Sequence, residues 1–443
     1  MNLSIWKRVL SEKFGLPLGL CIMLQGVLMA VFLPIMPIIL TEKIGLDKNE
    51  ITIFFLINTL LGIVVTLATG YLSDGKVARH KLILGGGILA SLAYVLIAVA
   101  TTPVHAYIAS VIAVAGGLLF PQLFAVVRSG VVADWDHESQ VMGITALRTL
   151  FSLGFIIGTA LSSWLVSVLD FRVIFVGIGV GFLLLSIFSA FILYRIDLYI
   201  AQRGQQTAQA DAQSQADGKR NVLISLPMYA LIVPLLALIV LRGADGTRGV
   251  YLSLVMFQIF HDASVAPLMF GITAAAELVT MGLAGYASSK IGEKTTIALG
   301  ALTGAIYFVI LSFTQSLPLL YFAHVLYAVF VAVLLGVAMA YVQGMLADRA
   351  GLGGSLYVAV FNTGSLVGIL SPLLTVGYDQ KVFVIPAILC VVGAALLMVG
   401  DRTAQIRKRL LESMTVQEVA REAVQEESAL LPGVAPAIKA NGD

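Results

Sequence analysis

Three charged residues, Arg242, Asp245 and Arg248, interrupt a long apolar segment in the second half of the sequence. Because they recur every third position, an α-helix would place Asp245 one turn from each arginine and allow a shared ion-pair cluster. Three glycines in the same stretch favour a broken or bent helix beside a cavity. Asp245 is then a candidate proton-coupling residue, and the two arginines are candidate ligand-binding residues. Alternatively, the apolar segment ends sooner and these charges lie in water at the outer mouth.

Glu277 is another charged residue inside an apolar stretch, which runs from Gly271 to Ala284. No basic residue lies within one helical turn of it. An isolated charge in an apolar medium is costly, so this carboxyl should be largely protonated. We therefore predict that Glu277 couples proton movement to function. The alternative is a protonated glutamic acid that only hydrogen-bonds to a facing helix.

Six uncharged polar residues also fall inside apolar segments: Gln25, Asn58, Gln122, His324, Gln343 and Asn362. One or two such groups would serve as hydrogen bonds between helices. A set spread over many segments is also typical of a site for a hydroxyl-rich ligand. We therefore expect two or three of the six to face a cavity and bind substrate. His324, taken alone, favours a structural role.

The connection at residues 70–81 combines small, acidic and basic residues. An aspartate at a helix end could pair with a cation on a neighbouring helix and so close one end of the molecule. Arg148, near the start of a later apolar segment, is a candidate partner either for Asp74 or for the acidic loop at residues 134–138. The predicted gate motif comprises Gly70, Asp74, Lys76, Arg79 and Arg148. The alternative is a positively charged loop with an ordinary helix cap.

The elements that position these residues must be membrane-spanning helices. The 443-residue sequence is 59% hydrophobic and only 12% charged, with a mean hydropathy of +0.97. Soluble domains carry about 25% charged residues. Apolar runs of roughly 20 residues, each long enough to cross a ~30 Å hydrocarbon core, recur throughout the chain. Their continuous apolar character excludes a barrel, so we predict an all-α membrane protein.

Twelve apolar runs predict twelve transmembrane helices. The expected spans lie near residues 15–40, 51–73, 82–101, 106–128, 142–167, 172–194, 224–256, 264–288, 295–314, 318–342, 353–376 and 381–400. A polar stretch after the sixth span has the composition of a linker. The predicted domains are an N-terminal six-helix bundle (1–194), a cytoplasmic linker (195–222), a C-terminal six-helix bundle (223–400) and a cytoplasmic tail (401–443).

Lysine and arginine are distributed unevenly between the two sides of the predicted membrane. With the distal tail left out, the side of the N-terminus holds 18 of these residues and the opposite side holds 4. Positively charged connections stay in the cytoplasm. Both termini and the linker are therefore predicted to be cytoplasmic.

The two halves also resemble each other in sequence. The segment Gly70-Tyr71-Leu72-Ser73 recurs as Gly285-Tyr286-Ala287-Ser288, at an offset of 215 residues. Gly85 and Gly300 match at the same offset. Repeats of this kind predict two pseudo-symmetric bundles, with a ligand site at their interface near the bilayer midplane.

Composition and missing motifs disfavour several other functions. The net charge of +2 predicts no surface for nucleic acid. Cys21 and Cys390 fall inside apolar spans near opposite ends of the chain, so neither a disulfide nor a thiolate metal site is expected. The sequence has no His-Glu-x-x-His or Gly-x-Ser-x-Gly motif of a membrane-embedded enzyme. We therefore predict a protein that is not an enzyme and uses no cofactor or metal.

The connection after the second span resembles the loop signature of the major facilitator superfamily, a Gly-x-Leu-Ser-Asp core followed by clustered basic residues. It departs from that signature at Gly75, where a basic residue is usual. Residues 121–125, 273–286 and 349–364 resemble the bacterial sugar efflux transporter family within this superfamily. Glu277 falls on that family's glutamate position in the eighth span.

The resemblance implies a major facilitator fold and proton-coupled export of small sugars or glycosides across the bacterial cytoplasmic (inner) membrane. The partners that it implies are a small molecule (a sugar or a drug), protons and membrane lipid, for a protein that acts as a monomer. A multidrug/proton antiporter of the same fold is the alternative. A drug cavity should be richer in aromatic residues and poorer in amides, so the six polar residues favour sugar.

Overall fold

The computed structural model describes residues 3–73, 78–127, 131–132, 134–135, 137–207, 228–345, 350–375 and 377–399. These residues are nearly all helical and contain no β-strand. Asp74, Lys76, residues 208–222 of the predicted linker and the tail 401–443 lie outside the described residues.

The first half of the chain forms nine helices. They are α1 (Leu3–Ser11), α2 (Gly15–Phe32), α3 (Met36–Glu42), α4 (Lys48–Ser73), α5 (Arg79–Val99), α6 (Pro103–Ala113), α7 (Leu119–Val126), α8 (His137–Val168) and α9 (Phe171–Thr207) within the described residues. A 3₁₀ segment (Val114–Leu118) joins α6 to α7. Helix α9 runs to Thr207, so the predicted linker, expected to begin at residue 195, is helical over its first part.

The described part of the second half forms seven helices. They are α10 (Met228–Phe260), α11 (Val265–Ile291), α12 (Glu293–Phe313), α13 (Leu317–Ala332), α14 (Ala338–Met345), α15 (Ala350–Leu370) and α16 (384–399). A π turn (Val333–Val337) joins α13 to α14. Short 3₁₀ segments follow α15 (Ser371–Leu374) and precede α16 (Gln380–Phe383).

The described residues contain ten helical segments that are long and apolar enough to span a membrane. They match the predicted spans except the seventh and the eleventh. At those two places the structure has α10, a charged helix of 33 residues, and α15, a helix of 21 residues with a shorter apolar part, Leu356–Leu370. At 1.5 Å per residue α10 is about 50 Å long, which exceeds a hydrocarbon core. The all-helical membrane fold is confirmed, and the count of twelve spans stays a prediction.

Two predicted spans are interrupted at proline or glycine. The first span breaks between α2 and α3, at Leu33–Ile35, where Pro34 removes a backbone donor. The fourth span tightens to a 3₁₀ helix around Gly116 and Gly117, which weaken regular helix.

Helix α10 is continuous, so of the expected broken or bent helix the break is wrong, and the bend stays a prediction. The glycines instead let α15 approach closely. A Cβ atom on Gly243 would lie 3.0 Å from Val367, and one on Gly246 would lie 3.2 Å from the carbonyl oxygen of Ser365. Asp245 and Arg248 are 8% and 4% exposed, which disagrees with the alternative that these charges lie in water at an outer mouth.

Each half has its own hydrophobic core, and corresponding spans pack in the same way. Helix α2 packs on α8 in the first half, as α10 packs on α15 in the second. Glycines bring both pairs into backbone contact. A Cβ atom on Gly154 of α8 would lie 2.0 Å from the carbonyl oxygen of Met23, and one on Gly368 of α15 would lie 2.4 Å from that of Gly243. Small residues are the usual means of close helix packing in lipid.

The α10–α15 contact predicts that Gly368→Ala lowers the melting temperature of the detergent-solubilised protein. The added methyl overlaps backbone atoms that cannot move without separating the helices, and overpacking of this kind costs ~1–3 kcal/mol. Gly177→Ala is the matched control, since a Cβ atom there meets nothing within 4 Å. Equal melting temperatures for the two variants would contradict the close contact.

Candidate functional site

A cavity of about 490 Å³ lies between the two halves. Helices α4 and α8 of the first half, α10, α11, α13 and α15 of the second, and Leu33 in the break between α2 and α3 contribute to its wall. Five charged residues line it: Arg148, Arg242, Asp245, Arg248 and Glu277. The fold therefore brings the charged residues of the seventh and eighth predicted spans to one place.

Arg242 and Asp245 form an ion pair one turn apart on α10. The Tyr327 hydroxyl of α13 donates a hydrogen bond to the Asp245 carboxylate. The Arg242 guanidinium lies 3.6 Å from the ring centroid of Phe361 on α15. Asp245 is 8% exposed, so a charged carboxylate at this position depends on these partners.

Arg248 does not share the ion pair that the sequence predicted. Among the described residues, Arg242 is the one cation within 4 Å of the Asp245 carboxylate. Arg248 instead donates from Nε to the Tyr307 hydroxyl at 3.0 Å and from Nη2 to Thr273 Oγ1 at 3.2 Å. Its guanidinium also lies 4.0 Å from the ring centroid of Tyr327. Neutral groups thus hold a nearly buried cation.

His324 supports Arg248 from behind the cavity wall. Its Nδ1 lies 2.7 Å from the Leu320 carbonyl oxygen, which only accepts, so Nδ1 carries a proton. The Tyr307 hydroxyl accepts from Arg248 and donates to His324 Nε2 at 3.2 Å. The histidine orients Tyr307, and the structural role that the sequence favoured fits this geometry.

Glu277 lines the cavity without a direct partner. Among the described residues, its carboxyl makes no hydrogen bond and no ion pair within 4 Å. Arg148 of α8 and Arg248 of α10 nevertheless act on it electrostatically. No basic residue lies within one helical turn of Glu277 in the sequence, but the fold brings two arginines from other helices near it.

Arg148 lies within the molecule, some distance from the end of α8, although the sequence offered it as a partner for Asp74 at a helix end. It lies on the cavity wall, about 16 Å along α8 from His137 at 1.5 Å per residue. Of the other gate residues, Gly70 lies near the end of α4 and Arg79 begins α5. Asp74 and Lys76 lie outside the described residues, so the gate motif stays a prediction.

The six uncharged polar residues do not line this cavity. Gln25, Gln122 and His324 are buried in helix packing and do not face it. Asn58 is half-buried and donates from Nδ2 to the Phe54 carbonyl oxygen at 2.7 Å. A binding role for Asn58, Gln343 and Asn362 stays a prediction.

Hydroxyl groups that the sequence did not single out line the cavity instead. They belong to Thr59, Ser152, Thr273, Tyr327 and Ser365. Serine and threonine are frequent in membrane helices, where they bond the carbonyl of a preceding turn, as Thr59 does to Phe55 at 2.9 Å. Their presence in the sequence therefore carried no signal of a site.

Hydrogen bonds join the two halves on the side that carries residues 42–48 and 260–265. Lys48 Nζ of α4 donates to Thr375 Oγ1 at 3.0 Å, and Ser163 Oγ of α8 donates to the Ser264 carbonyl oxygen at 3.1 Å. The Tyr251 hydroxyl of α10 donates to Thr52 of α4, whose own hydroxyl donates to the Lys48 carbonyl. We call these hydrogen bonds between the halves the outer seal.

Comparison with known proteins supports the fold. The sequence model of the major facilitator superfamily matches residues 18–244 and 234–433 of this chain. Sugar efflux transporter B of Salmonella typhimurium is 25% identical over 349 residues, which cover 78% of this chain and 84% of that protein. Sugar efflux transporter A of Dickeya chrysanthemi is 24% identical, over 85% of this chain and 92% of that protein.

Solved structures agree at the level of the fold. The nucleoside transporter NupG superposes with a TM-score of 0.67 at 15% identity, over 87% of this chain and 98% of that chain. A bacterial homologue of the human lysosomal transporter Spinster superposes with a TM-score of 0.62 at 14% identity, over 88% of this chain and 96% of that chain. The solved structures agree with the fold, and the match to the family model covers most of the chain. The chain therefore belongs to the major facilitator superfamily.

Proposed function

We propose that this membrane protein is a proton-coupled secondary transporter that exports small sugars or glycosides by alternating access. The observation that carries the proposal is the central cavity, which lies between the halves and combines hydroxyl groups with a cluster of charged residues. The relatives named as sugar efflux transporters support the substrate class. The cavity volume of about 490 Å³ suits a mono- or disaccharide-sized ligand.

The proton would be carried by Glu277. Its carboxyl lies on the cavity wall and makes no direct bond, so protonation there does not require another interaction to break. Arg148 of the first half and Arg248 of the second act on its charge from either side of the cavity. A proton on Glu277 would therefore change the attraction between the halves. Asp245 is occupied by Arg242 and Tyr327, and a proton-coupling role for it stays a prediction.

The outer seal supports alternating access. The unequal distribution of lysine and arginine predicts that both termini are cytoplasmic, which places the seal on the periplasmic side of the inner membrane. A cavity closed on that side is in the state in which an exporter loads substrate. Opening it outward would break the Lys48–Thr375, Thr52–Tyr251 and Ser163–Ser264 contacts.

Export of drugs is the second candidate function. The cavity wall contains five aromatic residues and, among the described residues, no asparagine or glutamine. The aromatic residues are Phe55, Phe151, Phe155, Phe270 and Tyr327. A drug cavity was expected to be rich in aromatic residues and poor in amides, so this composition favours a drug. Aromatic faces also stack on sugar rings, however, and the charged groups and hydroxyls provide hydrogen bonds that a sugar requires.

Proton coupling predicts that Glu277→Gln abolishes energised efflux of labelled lactose and a thio-glycoside from preloaded cells. The glutamine keeps the shape but cannot exchange a proton, so we expect the rate to fall at least ~10-fold, as it should with a protonophore. Glu42→Gln, at an exposed glutamate outside the cavity, is the control and should leave efflux unchanged. If no sugar leaves the cells while dye export remains intact, the sugar proposal fails and the drug exporter remains.

The ion pair on α10 predicts opposite outcomes for single and double neutralisation. Asp245→Asn leaves the Arg242 charge without a carboxylate, which should destabilise the protein by ~3–5 kcal/mol and lower its melting temperature. Adding Arg242→Gln removes the unpaired charge and should restore most of the melting temperature, although transport stays lost. A double variant as unstable as Asp245→Asn alone would show that the pair does not set stability.

A further inference from the structure

The charges on the cavity wall do not balance. Among the described residues, three guanidinium groups, from Arg148, Arg242 and Arg248, face two carboxyl groups, from Asp245 and Glu277. With both carboxyls ionised, the wall carries a net charge of +1. An uncompensated charge enclosed by a membrane protein is costly and usually marks the position of a ligand or ion.

The excess charge can be located because the partners of each group are visible. Arg242 is neutralised by Asp245. Arg248 donates its hydrogen bonds to the uncharged groups Tyr307 and Thr273, so no carboxylate contacts it directly. Arg248 acts on both Asp245 and Glu277, whereas Arg148 acts on Glu277, so among the described residues two carboxyl groups face three guanidinium groups. One negative charge is missing between Arg148 and Arg248.

Arg148 is the side chain best placed to bind that missing charge. It lies on the cavity wall and is exposed there, without a hydrogen bond or ion pair to the described residues. A guanidinium offers five donors in a planar fork that matches a carboxylate through two parallel hydrogen bonds. Ser152, one turn further along α8, adds a hydroxyl on the same wall.

We propose that the preferred substrate is a sugar carrying one carboxylate, which Arg148 binds directly. This inference rests on the proposed function and narrows its substrate class. In the substrate-loading state of the proposed antiporter, in which Glu277 has released its proton, a single negative charge brings the cavity wall to neutrality, whereas the dianion of a sugar phosphate would leave it negative. A cationic drug would add to the existing positive charge and is disfavoured. The sugar ring would then lie between the aromatic side chains and the hydroxyls.

The test is equilibrium binding of glucuronate, glucose and glucose 6-phosphate to the purified full-length protein in lipid nanodiscs. We expect glucuronate to bind at least ~10-fold more tightly than glucose, because its carboxylate forms two charge-assisted hydrogen bonds with the Arg148 guanidinium. Arg148→Gln should lower the affinity for glucuronate at least ~10-fold more than the affinity for glucose, and Arg148→Lys should keep part of the preference for glucuronate. Arg172→Gln, at an exposed arginine outside the cavity, should change neither affinity. Melting temperatures establish that each variant is folded.

Three results would overturn the inference. They are equal affinities for glucose and glucuronate, tighter binding of glucose 6-phosphate than of glucuronate, and an equal loss of both affinities in Arg148→Gln. If glucose binds and is exported without any preference for the acid, the inference alone fails. If none of the three sugars binds while a dye does, the proposed function fails together with the inference.

Discussion

The ion pair between Arg242 and Asp245 is the interaction around which the second half of the molecule is arranged. A helix that carries three charges through a membrane requires partners at a fixed depth. Helix α13 supplies the Tyr327 hydroxyl to Asp245, and α15 supplies the Phe361 ring to Arg242. The charges of α10 therefore contribute, together with apolar packing, to the positions of its neighbours.

The same constraint explains why the two halves differ in spite of their shared packing. Corresponding helix pairs, α2 with α8 and α10 with α15, both meet through glycines. The second half nevertheless carries four of the five charged residues on the cavity wall, and the first half contributes Arg148 alone. In the proposed cycle the second half senses the proton at Glu277, and the first half responds through its single cation.

The sequence predicts the helices well because apolar length and charge distribution are properties of the sequence alone. It also places Arg242, Asp245 and Glu277 correctly within helices. It could not show which face of a helix meets the cavity, because membrane helices are apolar all round and lack the amphipathic pattern that orients soluble helices. For this reason the sequence could not distinguish Gln25 and Gln122, which are buried in packing, from polar residues that face the cavity.

The continuity of α10 has a related physical origin. Glycine weakens an isolated helix, but in α10 the glycines let α15 approach closely, so close packing keeps the helix continuous. The electrostatic interaction between Arg148 and Glu277 joins residues that are far apart in sequence, and only the fold brings them together.

The most direct test of the central cavity as the substrate site is protection of a single cysteine from alkylation. Cys21 and Cys390 are both buried and can be replaced by serine to remove background. Ser152→Cys lies on the cavity wall, and Ser167→Cys, on the same helix and outside the wall, is the control. The account predicts that saturating lactose slows alkylation of Ser152→Cys several-fold and leaves Ser167→Cys unaffected. Equal alkylation rates of Ser152→Cys with and without sugar, under conditions in which the sugar is exported, would contradict it.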